Sequence, residues 1–127
     1  MSTRLRLAFA SIFASLLAGC SPQIGDSCQY STNCSSQGTR LCDVSMPGGY
    51  CTIYNCDPNN TCPSESSCVE FNDESTTYER RFCLRGCNND NDCRAGYKCV
   101  YNDGDLLSQY NGVMLDNTSK YTGVCLP

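Results

Sequence analysis

A cysteine sulfur can cross-link, ligate a metal, attack an electrophile or carry a lipid, and its neighbours decide which. This chain has 13 cysteines in 127 residues and no histidine. Without histidine there is no Ser-His-Asp or Cys-His catalytic set and no imidazole-ligated metal. Zinc held by thiolates normally uses paired Cys-x2–4-Cys knuckles. Only Cys51-x4-Cys56 and Cys83-x3-Cys87 are spaced so closely, and both straddle the boundaries of the repeat described below. A redox Cys-x-x-Cys is also missing. The expectation is no metal, no cofactor and no enzyme, which leaves cross-linking as the use for most of the sulfurs.

So many cysteines belong to an oxidising compartment, because cytosolic thiols are kept reduced. The N-terminus points the same way. Arg4 and Arg6 precede an apolar run, Leu7 to Leu17, and the small residues Ala18 and Gly19 follow. That is the layout of a secretory signal, and the run is shorter than the roughly 18–20 residues of a spanning helix. The quartet Leu17-Ala18-Gly19-Cys20 resembles the lipobox of bacterial lipoproteins. The resemblance implies that residues 1–19 are a signal peptide and that Cys20 becomes the first residue, with a diacylglycerol on sulfur and acyl groups such as palmitate. Two or more acyl chains anchor a protein stably where one does not. Ser21, rather than an aspartate, leans towards sorting to the cell outer membrane. A plain secretory signal cut nearby is the alternative. Under the lipobox, twelve cysteines remain, an even set for six bridges.

Those twelve fall into three sets with a common opening gap. Cys28-x5-Cys34-x7-Cys42-x8-Cys51 is followed by Cys56-x5-Cys62-x5-Cys68-x14-Cys83 and Cys87-x5-Cys93-x5-Cys99-x25-Cys125. A recurring internal pattern marks an array of small modules, here 28–51, 56–83 and 87–125, within a disulfide-rich region 28–127. Residues 20–27 read as the lipidated cysteine and a short polar stalk. In each module Asn, Asp, Thr, Ser, Gly or Pro residues predict a turn between the early cysteines. Short runs such as "CVEF", "CVY", "RRFC" and "TGVC" predict strands around the third and fourth. Four cysteines allow three connectivities, and spacing alone does not choose between them. If the last two bracket a hairpin, first-to-third and second-to-fourth pairing is favoured: Cys28–Cys42, Cys34–Cys51, Cys56–Cys68, Cys62–Cys83, Cys87–Cys99 and Cys93–Cys125. The spacing is similar to that of cysteine-rich lipoproteins of the myxobacterial type and, more distantly, to the modules of Dickkopf proteins and colipase. That likeness implies a fold and no particular activity.

From Cys20 onward, Val, Ile, Leu and Phe supply only 15 of 108 residues, and the side-chain charge is −6. A fraction below about a fifth with that charge would predict disorder in a chain without cross-links. The expected fold is therefore small and disulfide-rich, built of short β-hairpins and turns with little hydrophobic core. An acidic chain with scattered arginines is also a poor nucleic-acid binder.

Few other residues could carry chemistry. Arg80 and Arg81, ahead of Cys83, could enter a trypsin-like specificity pocket if they stood on a rigid loop. Leu106, Leu107, Val113, Met114 and Leu115 flank Asn111-Gly112, a strong hairpin-turn signal. They either pack back as a small core or form an apolar finger in which Leu106, Leu107 and Met114 touch a partner. The run Asn88 to Asp92 invites a calcium reading but lacks the glycine and bidentate glutamate of an EF-hand loop. The combined expectation is a lipid-anchored envelope protein that binds an unknown protein or surface ligand. A secreted or anchored protease inhibitor using Arg80-Arg81 is the alternative.

Overall fold

The computed structural model describes residues 20–57, 59, 62–72, 80–102, 105–116 and 120–127, and for residues 105 and 106 the backbone alone. Residues 1–19, read above as a signal peptide, lie outside the described residues. Among the described residues, seven strands run β1 (Leu41–Asp43), β2 (Tyr50–Thr52), β3 (Ser66–Phe71), β4 (Arg80–Cys87), β5 (Lys98–Tyr101), β6 (Gly112–Met114) and β7 (Gly123–Leu126). Two single helical turns, α1 (Ser31–Cys34) and α2 (Asp105–Ser108), accompany them. The result is a small disulfide-rich β fold.

Six disulfides tie it together, Cys28–Cys42, Cys34–Cys51, Cys56–Cys68, Cys62–Cys83, Cys87–Cys99 and Cys93–Cys125, and Cys20 is left over. This is the first-to-third, second-to-fourth pairing that the hairpin argument favours. In each set the third and fourth cysteines stand directly opposite one another on antiparallel strands: Cys42 with Cys51, Cys68 with Cys83, Cys99 with Cys125. Side chains of opposed residues project to the same face. Two half-cystines therefore stand side by side and receive the first and second cysteines from the segment that precedes the hairpin.

The strands do not respect the three sets. β1 and β2 form a sheet of their own, while the second and third sets share one five-stranded sheet in the order β5-β7-β4-β3-β6. β4 is the seam. Its first part pairs with β3, and its last residues, Gly86 and Cys87, pair with Val124 and Gly123 of β7. The three residues between Cys83 and Cys87 are thus the interior of a strand and not a link between modules. Gly86 is required there, since a Cβ would fall 2.0 Å from the Tyr121 ring. β6 adds the second weld by pairing Met114 with Val69 and Val113 with Glu70.

Alternation along β3 and β4 divides the sheet by chemistry. Cys68, Glu70, Cys83 and Arg81 share one face. Val69, Phe71, Phe82 and Leu84 share the other, joined by Met114, Val124 and Leu126 from the neighbouring strands. The largest buried cluster among the described residues has sixteen members, and six of them are half-cystines. The core is small, as the composition requires, and sulfur fills much of it.

The first set is bolted onto this sheet by polar contacts. The Tyr50 hydroxyl accepts from the Arg85 backbone N–H at 2.8 Å and donates to the Cys125 carbonyl at 3.2 Å. Arg94 donates to the carbonyls of Gly25 at 2.9 Å, Pro47 at 2.8 Å and Gly49, and its guanidinium lies 4.3 Å from the Tyr97 ring centroid. Burial pushes the Tyr50 phenol far above its ordinary pKa.

Two expectations are corrected by this packing. Residues 20–27 do not form a free stalk: Ile24 is fully buried, and Gly25 donates to the Cys51 carbonyl at 2.9 Å. Ile24 N–H also donates to the Glu65 carboxylate at 3.2 Å. Residues Asp105–Asp116 do not form a hairpin around Asn111-Gly112. Asn111, at φ 54°, ends the α2 turn instead, and β6 pairs outward with β3. Burying Leu107 and Met114 against the sheet outweighs the local turn preference.

Candidate functional site

Cys20 is exposed and unbonded at one end of the described chain. Two residues later the chain is already held. The Pro22 carbonyl accepts from Arg40, which is ion-paired to Glu65 at 3.3 Å, and the Gln23 side chain accepts from Arg85 at 2.6 Å.

Arg80 and Arg81 occupy the start of β4 and not a projecting loop. Arg81 Nε lies 2.7 Å from Glu70 Oε2 across the β3–β4 pair. On the strand's other side the Arg81 carbonyl accepts from Asn55 N–H at 2.8 Å, and Cys83 N–H donates to Ile53 at 2.9 Å. Both backbone edges around Arg81 are thus occupied. Arg80 is exposed at the strand end.

Leu107 and Met114, expected as contact residues, are buried in the core. This corrects the apolar-finger reading: with so few large aliphatic residues in the chain, these two are drawn inward. The side chain of Leu106 lies outside what is described. The Asn88–Asp92 run is committed to backbone donors. Asp92 accepts from Asn88 and Asn89 N–H at 2.8 and 3.2 Å, and Asp90 accepts from Cys99 N–H at 2.9 Å.

Between the two sheets lies a groove that sequence reasoning did not single out. It has a volume of about 310 Å³ and a wall of Met46, Tyr50, Phe71, Phe82, Leu84, Tyr110 and Leu126, with Asp43 and Thr52 contributed by β1 and β2. Phe71 and Phe82 meet at 6.0 Å between ring centroids, and Tyr54 stands edge-on to Phe82 at 5.2 Å. Tyr110 in the wall and Tyr54 against Phe82 remain 48% and 38% exposed, so this side of the groove is open to solvent. Burial, with the negative charge of Asp43 second, raises the Tyr54 phenol above its usual pKa. Asp43 Oδ1 accepts from the Ser45 N–H at 2.9 Å and hydroxyl at 2.5 Å, which fixes the carboxylate at the end of β1. One signal for this groove was present: in "RRFCLRGC" the apolar Phe82 and Leu84 flank Cys83 at period 2. What that face opposes depends on β1 and β2, some thirty residues earlier in the chain.

Cavities of about 300–1,000 Å³ with apolar walls and a few placed polar groups are the usual form of small-molecule sites. The arrangement can hold a ligand. Among the described residues no helix is long and apolar enough to cross a membrane. No family model, curated protein or solved structure matches this chain.

Proposed function

We propose that this protein is a lipid-anchored, non-enzymatic binding scaffold of the bacterial cell envelope, attached through Cys20 and presenting the aromatic groove to a ligand. The observation that carries the reading is the division of the sulfurs. Twelve are closed into six bridges inside the body, while Cys20 stays exposed and unbonded, directly after Leu17-Ala18-Gly19. Thiol acylation needs a residue placed this way, and the bridges suit an envelope or extracellular location. Ser21 favours the outer membrane.

Since Ile24 is docked, Cys20 is tethered by a very short segment. At ~3.5 Å per extended residue the reach from Cys20 to Ile24 is roughly 14 Å. The body therefore rests against the bilayer surface instead of standing above it on a stalk.

Intact mass of the membrane-extracted protein, alkylated with and without reduction, tests the proposal. The expected result is an acylated chain beginning at Cys20 whose other twelve thiols appear only after reduction. Labelling with radioactive palmitate should be lost in Cys20→Ala, which also leaves the chain uncut after Gly19. An unacylated protein that fractionates as freely soluble in its own cells rejects the anchor.

A further inference from the structure

Resting on the reading of the groove as a binding site, we infer that its ligand is a small apolar cation, of the size of an arylalkylamine. The walls are mostly aromatic and aliphatic, with Thr52 and Pro127 among them, and Asp43 is the charged side chain among the described lining residues. Asp43 Oδ1 is occupied by both Ser45 donors, whereas Oδ2 takes none among the described residues. A carboxylate with an open oxygen in the same lining as the Phe71, Phe82 and Tyr110 rings matches a positive head on an apolar body, because ring faces and carboxylate attract the same sign. The acidic balance of the body adds to this field. A volume of about 310 Å³ has room for one ring with a short side chain. The charge of Asp43 is separable from its structural role. In Asp43→Asn the amide oxygen still accepts from Ser45, so the turn is kept while the charge is removed.

Three probes of one shape and different charge decide the matter: 2-phenylethylammonium, 2-phenylethanol and phenylacetate. Binding is followed by NMR shifts of the Phe71, Phe82 and Tyr110 rings in the purified oxidised protein, with probe uptake by empty detergent micelles measured separately. The ammonium is expected to bind about tenfold more tightly than phenylacetate, with the alcohol between them. Asp43→Asn should bring ammonium and alcohol to within about twofold of each other, with the alcohol unchanged. Equal binding of all three, or a preference for phenylacetate, overturns the cation assignment but leaves the groove as a binding site. The second result would assign control to Arg80 and Lys98, which stand in register opposite Phe71 and Leu126. No ring shift with any probe overturns the groove reading itself. A capped Phe-Arg dipeptide that outcompetes the amine would reassign the groove to side chains of a protein partner and overturn the small-molecule ligand.

Discussion

Cys68 and Cys83 stand directly opposite each other on β3 and β4, and neither is bonded to the other. Each reaches instead to the segment before the hairpin, Cys68 to Cys56 and Cys83 to Cys62. The same relation holds for Cys42 with Cys51 and Cys99 with Cys125. A bond between opposed cysteines would close only the hairpin, which the sheet already closes. Crossing back ties the segment before the hairpin onto the sheet.

Removing one crossing bridge should therefore be costly. Cys62 and Cys83 are 21 residues apart, and a loop of that size corresponds to about 3 kcal/mol. The double variant Cys62→Ser/Cys83→Ser is expected to lose about that much stability by denaturant titration while retaining its other five bridges by mass mapping.

Arg94 joins the first set to the third through the carbonyls of Gly25, Pro47 and Gly49. Arg94→Ala removes this donor from Gly25 and Gly49, while Pro47 keeps the Tyr97 hydroxyl, and should cost about 2–3 kcal/mol. Arg94→Lys keeps the charge but cannot reproduce the planar fork, so it should recover less than half. Hydrogen exchange at Gly25 and Cys51 should accelerate first, since both amides lie in the segment that Arg94 holds.

Tyr50 makes stability fall at alkaline pH. Its folded pKa lies above the ordinary value of 10.0, mainly through burial. The folded state therefore keeps a proton that the unfolded state releases. The contribution is whole below pH 10 and is lost progressively as pH rises beyond it. Tyr50→Phe should be less stable than the parent at neutral pH, because it deletes the bonds to Arg85 and Cys125. It should also show a flatter decline above pH 10 in thermal melts.

The bond after Arg81 should resist a trypsin-like protease. Such enzymes bind their substrate as an extended strand, and both edges of β4 at Arg81 are already paired. Titration with trypsin should give neither tight inhibition nor cleavage after Arg81 in the oxidised protein. Reduction of the disulfides should expose the bond and allow rapid cutting. Stoichiometric tight inhibition of the protease by the oxidised protein would instead restore the inhibitor reading.

Much of this molecule is local, and local order is legible in spacing. The recurring five-residue gap, the turn residues between early cysteines and the strand runs around late ones lead to six crossing bridges with Cys20 left over. The low count of large aliphatic residues likewise leads to a sulfur-filled core. What spacing could not supply is contact between distant strands. β4 continues across the boundary between two cysteine sets because Gly86 admits the Tyr121 ring, 35 residues later. Asn111-Gly112 reads as a hairpin, yet β3 offers Met114 an apolar partner in Val69 that the local turn cannot match. The groove has the same origin. Asp43, Phe82, Tyr110 and Leu126 come from four separate stretches, and only the packing of one sheet over the other brings them to a single cavity. Cross-link number follows from the cysteine count, and the pairing from the hairpins that bring each third and fourth cysteine side by side. The groove follows from which apolar face had too little partner surface to be fully covered.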